Sequence, residues 1–362
     1  MNMEQLSSNP LRVALEARSI GRNALLRRWF LLSLLVCTWL PMVFFILLAR
    51  TADASGGSLA GIKTVFLFLG TAHVPATLFF YSDKEFAPII QQHRGRYIYV
   101  PILLTIITGL VFAFLDFTTQ AFVLLAYWSW QAFHYGRQNV GIYAFASISE
   151  TSRPPRKEER LAIEAGTLLA ILGTFKILGT AVAPAYLHST FDYLYRFGLL
   201  GFAGLLIFSV VVYARGFKDT TLFKTLFFFT AVLFFLPVFV STNNNIAFLS
   251  YAIAHGLQYI IFMMVVSSTA PTAAPTRAFP YKSFATFLVF VLIAGFAFWR
   301  VGDLREIAFV KNAWPYARAA DFLFGAVLGA TMSHFVIDAD AWRLRLERQR
   351  AYMTKRFYFV FD

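Results

Sequence analysis

The sequence predicts an all-α protein, a polytopic transmembrane helical bundle of about ten spans with both termini in the cytoplasm. First, 58% of the 362 residues are hydrophobic and only 14% are charged, whereas roughly a quarter of the residues in a soluble domain are charged. Second, apolar runs long enough to cross a bilayer recur along the chain. Third, Lys and Arg concentrate in alternate gaps between these runs. Because backbone groups in lipid must pair within the protein, and the short alternating segments of a barrel are absent, the runs are expected to be helices.

A run of roughly 17–25 apolar residues is needed for one span. The predicted spans are 29–49, 61–81, 98–115, 120–148, 160–182, 196–214, 222–241, 244–268, 283–299 and 319–338. They define a transmembrane domain over 29–338, which follows a basic segment at 1–28 and precedes a basic tail at 339–362. The first run is too long for a signal-peptide core and is expected to be an uncleaved span.

The formal net charge of +13 follows the predicted topology. The basic gaps are 82–97, 149–160, 215–221 and 339–362. They alternate with 116–119, which has no base, and with 242–246, which is uncharged. This alternation predicts cytoplasmic basic loops in a bacterial inner membrane, with no nucleic-acid partner. The outer segment 300–318 is basic and so departs from this alternation; it is expected to be an interfacial helix. Segment 269–280 is expected to be a flexible loop.

The sequence lacks the motifs of several common classes of site. With one cysteine, Cys37, the chain can form neither an intrachain disulfide nor a cysteine metal site. No P-loop, G-x-S-x-G, G-x-G-x-x-G or H-E-x-x-H is present. No two histidines are closer than twenty residues, so the clustered histidine boxes of membrane desaturases are absent too.

Four of the six histidines lie inside predicted spans. They are His73, His134, His255 and His334. They fall in the second, fourth, eighth and tenth spans, which all run in the same direction, at roughly 6–21 Å from the cytoplasmic ends. Polar side chains at membrane depth rarely face lipid, so the four are expected to point inward. Imidazoles that converge in a dry bundle predict a metal site, for which iron, copper and zinc are suitable. The other two, His93 and His188, are expected to be solvated.

Polar neighbours of these histidines are candidates for catalytic or positioning roles. Gln138 follows His134 by four residues and Asp338 follows His334 by four, so each pair shares one helix face. Carboxyl and carbonyl groups are typical partners of the second nitrogen of a ligating histidine. Arg137 is expected to bind Asp338 or an anionic lipid or substrate group.

Short motifs around three of the histidines resemble the bacterial membrane beta-carotene dioxygenases of the Brp/Blh type. They are His334-Phe335-x-x-Asp338, Ala254-His255-Gly256 and His134-Tyr135-Gly136. The resemblance implies a helical bundle that holds iron through histidines and cleaves carotenoids to retinal. That family also has paired histidines four residues apart on one helix, which this chain lacks.

The first hypothesis is a metal-dependent membrane oxidoreductase or oxygenase with non-haem iron on the four histidines. Its substrate is expected to be an apolar lipid or isoprenoid from the bilayer, and an electron-donor protein is a further expected partner. The second is bis-histidine haem binding, with room for the macrocycle at Gly136 and Gly256. A transporter or proton relay that uses His, Asp and Arg is the third, and a scaffold subunit of a larger complex is the fourth.

Overall fold

The computed structural model describes residues 10–51, 60–241, 243–269, 280–301 and 316–361, and this part of the chain is helical without a strand. The longer helices, in chain order, are α1 (Pro10–Thr51), α2 (Ala60–Ala76), α5 (Val100–Phe114), α6 (Phe117–Thr151), α7 (Lys157–Ile177), α8 (His188–Arg215), α9 (Leu222–Leu233), α11 (Asn244–Ser268), α12 (Tyr281–Val289) and α13 (Tyr316–Ala341). The shorter ones are α3 (Phe79–Ser82), α4 (Ala87–Gln92), α10 (Leu236–Val240), α14 (Glu347–Arg356) and α15 (Tyr358–Phe361). Five-residue π-helical turns precede α5 (Gly95–Tyr99) and follow α12 (Phe290–Ala294).

Six helical stretches of the described residues are long and apolar enough to span a membrane. They cover Gly21–Phe45, Gly95–Phe114, Ala185–Arg215, Ile246–Ser268, Tyr281–Val301 and Ala317–Ala341. Their outer faces carry many exposed Leu, Ile, Val and Phe side chains, as lipid contact requires. These helices are consistent with an integral membrane protein.

Each of the other four predicted spans is also helical, but two are interrupted. The run 61–81 breaks after Ala76, one residue beyond Pro75, and resumes as α3. The run 222–241 divides into α9 and α10 just before Pro237. Proline lacks the N–H that an uninterrupted helix needs, which explains both breaks. Most of the predicted loop at 269–280 and of the interfacial helix at 300–318 lies outside the described residues.

Small residues let the helices approach closely. Gly325 and Gly329 of α13 form a G-x-x-x-G pair whose missing side chains admit the backbone of α5 at Thr108 and Leu104. Elsewhere in the bundle, α11 packs against α1 and α2. These contacts fix α11 against α2, two of the four histidine-bearing helices.

The predicted basic tail at 339–362 packs against the bundle in its described part. Arg356 of α14 is 1% exposed, donates to the main-chain oxygens of Val266 and Thr269, and pairs with Asp83 at 2.8 Å and Glu85 at 3.0 Å. Tyr352 and Met353 of α14 and Phe359 of α15 join the hydrophobic core. The tail is therefore anchored by buried contacts as well as being basic.

Candidate metal centre

The four intramembrane histidines converge. His73 on α2, His134 on α6, His255 on α11 and His334 on α13 are all at most 8% exposed. The rings form a closed circuit with centroid separations of 4.8 Å (73 to 255), 5.0 Å (255 to 134), 5.1 Å (134 to 334) and 5.0 Å (334 to 73). Across the circuit, the His255 and His334 centroids are 6.4 Å apart. The four rings therefore surround one buried space.

Each of the four rings turns an unpartnered nitrogen toward this buried space. No Nε2 of the four has a hydrogen-bond partner among the described residues, and Nδ1 of His255 lacks one as well. Two rings are held through the other nitrogen: Nδ1 of His73 bonds the oxygen of Gly70, and Nδ1 of His334 is 2.6 Å from Oγ1 of Thr77. A bond from Nδ1–H to a main-chain oxygen leaves Nε2 with a free lone pair, which is the form that binds a metal.

The separations fit one ion. A nitrogen bound at about 2.0–2.1 Å puts the ring centroid roughly 3.2 Å from the ion, so neighbouring centroids are about 4.5 Å apart in a square and about 5.2 Å apart in a tetrahedron. The observed neighbouring separations, 4.8–5.1 Å, lie between these limits. Donor atoms of His73, His255 and His334 lie within 4.8 Å of one another. Two donors on one ion are about 3.3 Å apart in a tetrahedron and at most about 4.2 Å apart in any geometry, so these three rings must move closer together to share an ion. The donor of His134 groups with those of His334 and Asp338 instead.

Asp338 supplies a carboxyl group at the edge of the circuit. Its Oδ2 is 3.5 Å from Nε2 of His334 and 3.9 Å from Nε2 of His134. Its Oδ1 accepts a hydrogen bond of 2.9 Å from the hydroxyl of Tyr259, which is also 2.9 Å from Oγ1 of Thr77. Asp338, His134 and His334 thus form a second group of donors within 4.8 Å of one another.

Aromatic rings enclose the cluster. Tyr135 stacks on His255 with centroids 3.9 Å apart, and its hydroxyl accepts a bond of 2.5 Å from Nε2 of Gln131. Phe335 stacks on His134 at 4.3 Å. These contacts restrict rotation of the imidazoles and exclude water from them.

A close crossing of α2 and α11 places His73 beside His255. A Cβ added at Gly256 would lie 3.0 Å from the Cα and oxygen of Gly70 and 3.0 Å from Nδ1 of His73. At Gly136, an added Cβ would collide with Thr167 of α7. Both glycines therefore admit a neighbouring helix, and the room that we expected there for a haem macrocycle is already filled.

The structure corrects several expected polar roles. Gln138 does not reach the ring of His134; its Nε2 donates to the main-chain oxygen of His255 and to Oε1 of Gln258. Arg137 pairs with Glu164 at 2.7 Å on the exposed side of α6, not with Asp338. Arg137 of α6 and Glu164 of α7 line the same surface cavity between these two helices, which brings their charges together.

One other expectation about a polar group also changes. His93 is not simply solvated, because its Nδ1 is 2.7 Å from Oδ2 of the buried Asp340. Tyr259 escaped sequence reasoning altogether. A signal was available, since Tyr259 follows His255 by four residues and so shares its helix face.

Comparison with known proteins adds nothing to this geometry: no protein-family model, curated protein or solved structure matches the chain.

Proposed function

We propose that the chain is a metal-dependent membrane oxidoreductase or oxygenase, with non-haem iron on His73, His134, His255 and His334. The observation that carries the proposal is the set of four buried Nε2 atoms without a partner in the described structure. Leaving a buried polar group unsatisfied costs about 1–3 kcal/mol, so four such groups around one space would destabilise the fold considerably unless a ligand binds them. An ion held by His73, His255 and His334, whose donor atoms lie within 4.8 Å of one another, would satisfy three of these groups, and a shift of the His134 ring would bring in the fourth.

Iron is the metal that this donor set and the resemblance to the carotenoid-cleaving family favour together. Imidazole nitrogen is a good donor for iron, copper and zinc. Four imidazoles would leave open positions on an octahedral iron, which supplies the chemistry of dioxygen activation when it is bound. Asp338 is the positioning carboxyl group next to such a position, since its Oδ2 lies 3.5 Å from Nε2 of His334.

The proposed substrate is an apolar lipid or isoprenoid that enters from the bilayer. The cluster is enclosed by Tyr135, Tyr259 and Phe335, whose rings favour an apolar chain over a polar metabolite. The further proposals are a topology of ten spans with both termini in the cytoplasm of a bacterial inner membrane, and an electron-donor protein as partner. They rest on the alternation of basic loops and on the chemistry of oxygenases.

Metal content tests the proposal directly. Protein purified in detergent should contain close to one iron per chain by elemental analysis, without a Soret band. His134→Ala and His255→Ala should lose the iron, whereas the matched control His188→Ala should keep it, because His188 bonds only the main-chain oxygen of Ala183. Absence of any metal in the parent protein after reconstitution with iron, copper and zinc would refute the proposal. A Soret band would instead support the haem alternative.

Substrate class is tested separately from metal binding. Iron-loaded protein in lipid nanodiscs should consume dioxygen when β-carotene is added, and His134→Ala should not. Iron bound without such turnover by β-carotene, other isoprenoids or fatty chains would reject the oxygenase assignment while leaving the metal centre intact. In that case the buried histidines and Asp338 would favour the proton-relay alternative.

A further inference from the structure

A second polar site lies at one end of α13, away from the histidine cluster. It is an open cavity of about 370 Å³ between the α4–α5 connection and the segment that follows α13. Its polar lining consists of Gln92, His93, Arg94, Arg96, Asp340 and Arg343. Asp338 and Asp340 are two residues apart, which is roughly 200° around a helix. The cavity and the metal cluster are therefore on opposite faces of α13.

Three guanidinium groups and only one carboxylate line this cavity, and the carboxylate already has partners within the protein. Oδ2 of Asp340 is 2.7 Å from Nδ1 of His93 and accepts bonds of 3.1 Å from Tyr97 and from Gln349. Oδ1 is 3.6 Å from a guanidinium nitrogen of Arg96. Asp340 is 1% exposed. It serves as an internal anchor that fixes His93 and Arg96, and it is too buried to neutralise the rest of the cavity.

Two arginines remain without a counterion. Arg94 and Arg343 line the cavity from its two sides, and neither lies within 4.0 Å of a carboxylate of the described residues. By contrast, Lys355 and Arg356 of α14 are paired with Glu85 and Asp83. Two unpaired guanidinium groups that share a concave surface are a binding arrangement for a phosphate, whose oxygens accept their bonds in pairs.

The position of the cavity indicates the source of the phosphate. The candidate span Gly95–Phe114 begins at its rim, and the candidate span Ala317–Ala341 ends there. The cavity therefore lies where two spans reach the same membrane surface, at the depth of phospholipid headgroups. We propose that it binds the phosphate of an anionic lipid headgroup, a property that is independent of the proposed iron centre.

Isothermal titration calorimetry on the detergent-purified full chain tests this proposal. The titrants are dioctanoyl phosphatidylglycerol and, separately, inorganic phosphate. Arg94→Gln/Arg343→Gln should weaken lipid binding by roughly 100-fold, because each charge-assisted contact to phosphate is worth about 10-fold. The matched control Arg345→Gln/Arg350→Gln removes the same charge from exposed positions outside the cavity and should leave the affinity unchanged.

Melting temperature and metal content of all variants should match the parent protein, which separates this proposal from the iron centre. Equal losses of lipid affinity in the cavity and control variants would overturn the proposal, since attraction would then follow total charge. Inorganic phosphate that binds as tightly as the lipid would also overturn it, because the ligand would then be a soluble phosphate compound.

Discussion

Tyr259→Phe is the sharpest perturbation of the candidate metal centre, because it removes one oxygen atom and keeps the ring. That oxygen lies 2.9 Å from Oδ1 of Asp338 and 2.9 Å from Oγ1 of Thr77. Thr77 in turn lies 2.6 Å from Nδ1 of His334. The single hydroxyl therefore holds both the carboxyl group and, through Thr77, one imidazole.

The expected loss can be worked from these bonds. Removing a group that orients metal ligands typically costs about 10- to 100-fold in metal affinity, which corresponds to about 1.4–2.7 kcal/mol. Because the partners of Tyr259 are buried, the free energy of unfolding should also fall by about 1–3 kcal/mol. The packing against His334, with ring centroids 4.8 Å apart, is retained by phenylalanine.

The assay is competition for iron between the purified variant and a chelator of known affinity, with Tm measured in parallel. Tyr143→Phe is the matched control, since Tyr143 of α6 is buried like Tyr259, at 1% against 2% exposed, but lies roughly 13 Å along the helix from His134. In an Asp338→Leu background, Tyr259→Phe should cost much less, because the acceptor is already gone. Unchanged iron affinity in the single variant, or full additivity in the double variant, would refute the positioning role.

Three further predictions concern packing and metal retention. Gly256→Ala should lower the free energy of unfolding by about 1–3 kcal/mol and reduce metal content, because the added Cβ presses on α2 beside His73. Its control is Gly204→Ala, which has open space around it and should be neutral or slightly stabilising in the same thermal melts. Arg356→Met should cost about 3–5 kcal/mol, because it removes a buried guanidinium and leaves Asp83 without a cation, while Glu85 keeps Lys355. The partly exposed Lys355→Met should cost under about 1 kcal/mol, so equal Tm changes would contradict a stabilising role of the buried Arg356–Asp83 pair. Acidification from about pH 8 to about pH 5 should release iron reversibly, since protons compete for the imidazole nitrogens. Iron content that stays constant over this pH range in elemental analysis would argue against histidine ligation.

Helix positions followed from local properties of the chain and were largely predictable. A run such as 244–268 contains too few charges to remain in water and enough residues to cross a bilayer, and α11 covers Asn244–Ser268. Where prediction failed, a backbone effect intervened, as at Pro75 and Pro237, which interrupt runs that are continuously apolar. A hydropathy score depends only on the side chains, so it does not register the backbone N–H that proline lacks.

The identity of the candidate ligands was also available from the sequence, because histidine inside an apolar run is costly unless it faces inward and finds a partner. Direction and depth of the predicted spans even suggested a shared level. Asp338 contacts His334, four residues away on the same helix, as helix periodicity predicts. The same spacing failed for Gln138 with His134, and Arg137 pairs with Glu164 rather than with the expected Asp338.

Tertiary structure decided what depends on how helices are placed next to one another. No local pattern specifies that α2, α6, α11 and α13 surround one space, since these helices are separated by up to some 260 residues of chain. Close approach at Gly70 and Gly256 sets the separation of α2 and α11. The sequence by itself determined which groups had to be buried in the membrane, because burial cost is a property of each side chain. Which of them meet was determined only by packing, because the distance between two helices depends on every side chain in their interface.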